Sequence, residues 1–101
     1  MNSHDEHHKN RVCELFYEFS SYDTHNQFQK VKEKLSENKQ MCALLKIHHI
    51  SPELNLRGGH DTIYIGIPDR DWVKILDSDV EYLSRCGVRF DLDADCLAML
   101  T

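Results

Sequence analysis

Apolar positions recur at helical spacing from Asn10 onward. Val12, Leu15, Phe16 and Phe19 stand three or four residues apart and share one face. The pattern breaks at residues 20–23. Thr24 then offers an N-cap, with Gln27 three places on as a capping box requires, and Phe28, Val31 and Leu35 continue an apolar stripe to a stop at Asn38. Two amphipathic helices are therefore expected before residue 40. From Met41 the character changes. Ala43, Leu45 and Ile47 alternate within a short apolar run that reads as a strand ended by Pro52. Arg57-Gly58-Gly59-His60 reads as a loop.

Residues 62–67 alternate cleanly, with Ile63, Ile65 and Ile67 on one face and Thr62, Tyr64 and Gly66 on the other, so they predict a strand closed by Pro68. Residues 69–76 fit a helix through Trp72, Ile75 and Leu76, and equally a strand through Trp72, Lys74 and Leu76. Ser78 and Glu81 form a second capping box and Gly87 is a natural helix stop, which predicts a helix over residues 79–86. Val88, Phe90 and Leu92 alternate, Cys96 to Leu100 is a second apolar run, and the two pair as a closing hairpin around Ala94. The expected fold is α+β: a single small domain in the order α-α-β-β-α-β-β, with a mostly antiparallel sheet of about four strands and the helices on one face.

The chain has 101 residues, 41% apolar and 29% charged, which is one globular domain. Residues 1–9 read as a flexible, His-rich tail and residues 10–101 as the domain. No apolar run is long enough to cross a membrane, and the polar first residues lack the apolar core of a secretory signal. The four cysteines are far apart in sequence and mostly among apolar neighbours, so they read as buried reduced thiols. A cytoplasmic location is the expectation.

Net charge changes the picture more. The formal charge is −5, and all of the excess lies after residue 60, where nine acids face the four bases Arg70, Lys74, Arg85 and Arg89. An acidic half argues against direct binding of nucleic acid and fits a protein partner with a basic surface. The candidate contact residues are Asp77, Asp79, Glu81 and Tyr82 of the third helix, Asp91, Asp93 and Asp95 of the closing hairpin, and Trp72. Trp72 reads either as the centre of a contact patch or as a core anchor. The three hairpin acids share one face if the segment is a strand, and therefore need solvent, a cation or a basic partner. They open like a calcium loop, but Cys96 stands where the sharp turn needs glycine, and the twelfth position is missing.

Three histidines are the other candidates for chemistry. His48 and His49 are neighbours and point to opposite faces of a strand, so only one of them can join His60, with Cys42 as a further ligand. No spacing of metal-ligand type supports the set, and no cofactor or metal is expected. No thiol or hydroxyl stands next to a base in a recognisable nucleophile motif, so no catalytic residue is assigned. The leading expectation is a non-enzymatic protein-binding module. An inhibitor or accessory protein of the kind a phage or mobile element encodes would fit, competing with nucleic acid for a basic surface. A small enzyme or metal-binding domain built on His48, His49 and His60 is the second reading, and a subunit that self-associates as a homodimer through a shared sheet edge is the third.

Overall fold

The computed structural model describes residues 3–20 and 27–100. Helix α1 spans Ser3–Ser20, α2 Lys39–Ile50 and α3 Asp77–Arg85. Strands β1 (Asn55–Gly59), β2 (Thr62–Gly66), β3 (Arg89–Asp91) and β4 (Cys96–Leu100) form one sheet in the order β1-β2-β4-β3, antiparallel throughout. Short 3-10 turns cover Phe28–Lys30 and Asp69–Lys74. The expected order of elements holds, but two of them are built from other residues.

The second helix is not 24–38 but Lys39–Ile50, the stretch read as a strand. Thr24, its expected cap, lies outside the described residues. Asn38, expected as a stop, is a start: its side-chain oxygen accepts a 2.9 Å hydrogen bond from the Met41 N–H. Cys42, Ala43 and, one turn on, Ile47 are the buried positions of this helix, while Leu45 faces outward. Between Val31 and Asn38 the chain is irregular, and Glu33 sits at φ 56°, a conformation that no helix interior contains.

The first strand is the supposed loop. Asn55–Gly59 pairs along its whole length with β2, from Asn55 opposite Gly66 to Gly59 opposite Thr62. The turn is His60-Asp61, with Asp61 in the left-handed region at φ 62°. Helix α1 also begins at Ser3 rather than Asn10, so most of the stretch read as a tail is helical. The 69–76 segment is neither α-helix nor strand but the 3-10 turn followed by an extended Ile75.

Helix α3 keeps its expected end and changes its expected start. The Gly87 N–H donates to the Ser84 carbonyl and the Val88 N–H to the Leu83 carbonyl, with Gly87 at φ 90°. That bond pair is the Schellman motif, and its left-handed residue suits glycine. At the other end the cap is not Ser78 with Glu81. The Leu76 N–H donates to the Asp79 carboxylate at 2.9 Å.

The central strand β4 sets the core. Leu97 and Met99 are buried, and β4 places them beside Ile65 and Ile63 of β2. The helices bring Val12, Phe16, Cys42, Ile47, Val80 and Leu83 against this face. Trp72 closes the core beside β3, its ring edge-on to Phe90 with centroids 6.0 Å apart. No helix among the described residues is long and apolar enough to cross a membrane.

Candidate functional site

The acids singled out from sequence are brought to several places rather than one face. Asp77 pairs with Arg11 of α1 at 2.8 Å, Glu81 with Arg85 one helical turn on at 2.7 Å, and Asp95 with Lys9 at 3.1 Å. Asp79 is buried, where it caps α3 and meets the Lys46 ammonium at 3.3 Å. Asp91 ends β3, and its carboxylate accepts the Ala94 N–H at 3.0 Å. Asp93 and Asp95 lie in the turn after it, so the three acids do not line one face of a strand. Asp93 is exposed and, among the described residues, has no ion-pair partner.

Trp72 is a core residue, 1% exposed, and cannot centre a contact patch. The Lys9 ammonium stands 5.5 Å above its ring, which ties the first turns of α1 to the core. Tyr82 is half-buried, with its hydroxyl turned inward toward Cys42.

The histidines are not assembled either. His48 and His49 occupy the last turn of α2, not a strand, and both are exposed. His60 stands at the tip of the β1–β2 turn, with 98% of its side chain exposed, 3.4 Å from Asp61. Cys42 is buried. Among the described residues no three His, Cys, Asp or Glu side chains converge as metal ligands.

A different feature was not anticipated. Helix α1 and β3 enclose an apolar groove of about 350 Å3, lined by Cys13, Phe16, Tyr17, Arg89, Phe90 and Leu92. Phe16 of the core and the partly buried Phe90, which packs against that core, line it from the two elements. Tyr17 and Leu92 stand at its edges, each 80% exposed. Burial pushes the Cys13 thiol up to about 11, as expected of a sulfur in an apolar wall. Glu14 lies at the rim.

One signal in the sequence marks half of this groove: Tyr17 falls off the apolar stripe of its helix, so it has no core to enter. Leu92 gives no such signal. It continues the alternation of Val88 and Phe90, and only the end of β3 at Asp91 turns it outward. The comparisons offer no relative: no family model, curated protein or solved structure matches the chain.

Proposed function

We propose that this protein is a non-enzymatic protein-binding module that holds a basic segment of a partner through the α1–β3 groove. The observation that carries the reading is the pair Tyr17 and Leu92, two large apolar side chains left 80% exposed on either side of an apolar groove. Solvated apolar surface of this kind is the usual mark of a contact site. A groove of about 350 Å3 accepts one or two bulky side chains, the scale of a buried interface anchor.

Charge favours a basic partner, but more narrowly than the sequence alone implies. Most acids of the second half are taken up in pairs and caps within the molecule. Asp69 and Asp93 are the exceptions. Beside the groove, Glu14 of α1 and Asp93 in the turn just beyond β3 are exposed and without ion-pair partners among the described residues. They complement Lys or Arg flanking an apolar anchor. Affinity then rests on the anchor, and charge sets orientation and encounter rate. An inhibitor or accessory protein acts in this way, and no catalytic group is required.

Selection of displayed random peptides on the immobilised protein tests the reading. Enrichment of bulky apolar residues flanked by Lys or Arg is expected, with affinity falling at least about tenfold on Leu92→Asp, as for an anchored contact. Peptides of acidic or featureless composition, or binding indifferent to Leu92→Asp, would overturn it. A selection that yields nothing, together with uptake of small apolar compounds by the groove, would also overturn it and assign the groove to a small ligand.

A further inference from the structure

Lys39, Arg85 and Arg89 frame a cavity of about 250 Å3, together with Cys86, Gly87 and Leu100. The three cations come from three elements. Lys39 is the first residue of α2, Arg85 the last of α3, and Arg89 the first of β3. Gly87 brings Lys39 to the cavity wall: a Cβ built on this glycine would stand 3.4 Å from both Cε and Nζ of the lysine.

Only Arg85 has a counter-charge. It meets Glu81 at 2.7 Å, and it stands in the last turn of α3, where unpaired carbonyls favour a cation. Lys39 and Arg89 have no ion-pair partner among the described residues. Lys39 also occupies the end of α2 where unpaired N–H groups already carry positive partial charge, the less favourable end for a lysine. A chain of net charge −5 thus gathers three cations around one cavity, with one acid to offset them. Repulsion of this kind is relieved by an anion.

We propose that this cavity binds the phosphate group of a small phosphomonoester. A phosphate dianion matches the two unpaired cations in charge. Its oxygens accept hydrogen bonds from an ammonium and from guanidinium groups that approach from different elements. A carboxylate carries a single charge, so it leaves one of these cations unmatched. The organic part of the ester has a place as well, because Leu100 stands 60% exposed at the cavity and Cys86 is buried in its wall. Arg89 also lines the α1–β3 groove, whereas Lys39 belongs to this cavity alone.

Two-dimensional NMR titration of the full chain with phenyl phosphate, inorganic phosphate and benzoate tests the assignment. Phenyl phosphate is expected to shift the amide signals of Lys39, Gly87 and Leu100 in a saturable way. Inorganic phosphate is expected to shift the same signals at higher concentration, and benzoate to leave them in place. No saturable shift with phenyl phosphate, or shifts confined to other residues, would overturn the site. Benzoate as effective as phenyl phosphate overturns the choice of anion. Inorganic phosphate as effective overturns the ester and assigns the cavity to the free ion.

Charge placement is tested by two variants whose spectra show an intact fold. Lys39→Gln is expected to weaken phenyl phosphate at least about fivefold, for the loss of a charge-assisted contact. Lys32 is an exposed cation outside the cavity, and Lys32→Gln is expected to change affinity by less than about twofold, as a screened surface charge does. Equal losses from both variants would reduce the effect to the general field of the protein and overturn the proposal. Lys39 lies outside the α1–β3 groove, so the result stands or falls independently of what the groove holds.

Discussion

Ser51 donates a 2.6 Å hydrogen bond to the carboxylate of Asp71, and both residues are buried, 0% and 2% exposed. This bond joins the C-cap of α2 to the 3-10 turn that carries Trp72. The second carboxylate oxygen lies 2.9 Å from the Lys74 ammonium, which reaches it from the surface. Removal of the Ser51 hydroxyl leaves a buried charge short of its donor. Ser51→Ala is therefore expected to lose about 1–3 kcal/mol in urea unfolding. A loss no larger than that of an exposed serine such as Ser78 would contradict this account.

The same contact predicts a pH dependence. The Ser51 hydrogen bond, and then Lys74, hold the Asp71 carboxyl below its ordinary value of 3.8. A carboxyl depressed in the folded state contributes stability that is full above the ordinary value and is lost as pH falls through the folded one. The stability difference between the native chain and Asp71→Asn should therefore be constant near neutrality and shrink on the acid side of 3.8. Urea midpoints for both proteins across that range check it. A difference that grows on acidification has the wrong sign.

The acids also separate by structural task. Asp79 satisfies the Leu76 N–H at the start of α3 and holds Lys46 of α2, while Asp93 is exposed in a turn and has no ion-pair partner among the described residues. Asp79→Ala is expected to destabilise by about 1–2 kcal/mol, the range of a lost N-terminal cap. Asp93→Asn is expected to stay within about 0.5 kcal/mol of the native chain. Thermal unfolding of the two variants side by side distinguishes a capping carboxylate from one free for a partner.

These contacts explain which parts of the fold were legible in the sequence. β2 was plain because Ile63, Ile65 and Ile67 turn toward the core while Tyr64 does not. The end of α3 was plain because Gly87 alone suits φ 90° there. The residues of α2 misled because Ala43, Leu45 and Ile47 alternate, yet the buried set is Cys42, Ala43 and Ile47. Asparagine serves equally before and after a helix, so Asn38 could not decide the direction. β1 carries no alternation at all. It is an edge strand exposed along its length, and only the register with β2 makes it a strand. The paired acids were invisible for a related reason: Arg11, Lys9 and Lys46 come from helices far away in sequence. Charge counts along a chain do not reveal which charges the fold will join.

The groove makes a prediction about stability as well as binding. Phe16 is buried in its floor and packs on the core, whereas Leu92 stands beyond the end of β3 in solvent. Phe16→Ala is expected to cost about 3–5 kcal/mol, the sum of lost burial and a cavity. Leu92→Asp removes no buried contact and places a charge where water already is. It is expected to unfold within about 0.5 kcal/mol of the native chain. Chemical denaturation of both variants measures the contrast. If Leu92→Asp were as damaging as Phe16→Ala, the leucine would belong to the core, and its loss could not be used to separate binding from folding. If the contrast holds, any partner lost on Leu92→Asp is lost from an intact surface, so the variant separates the proposed contact from folding.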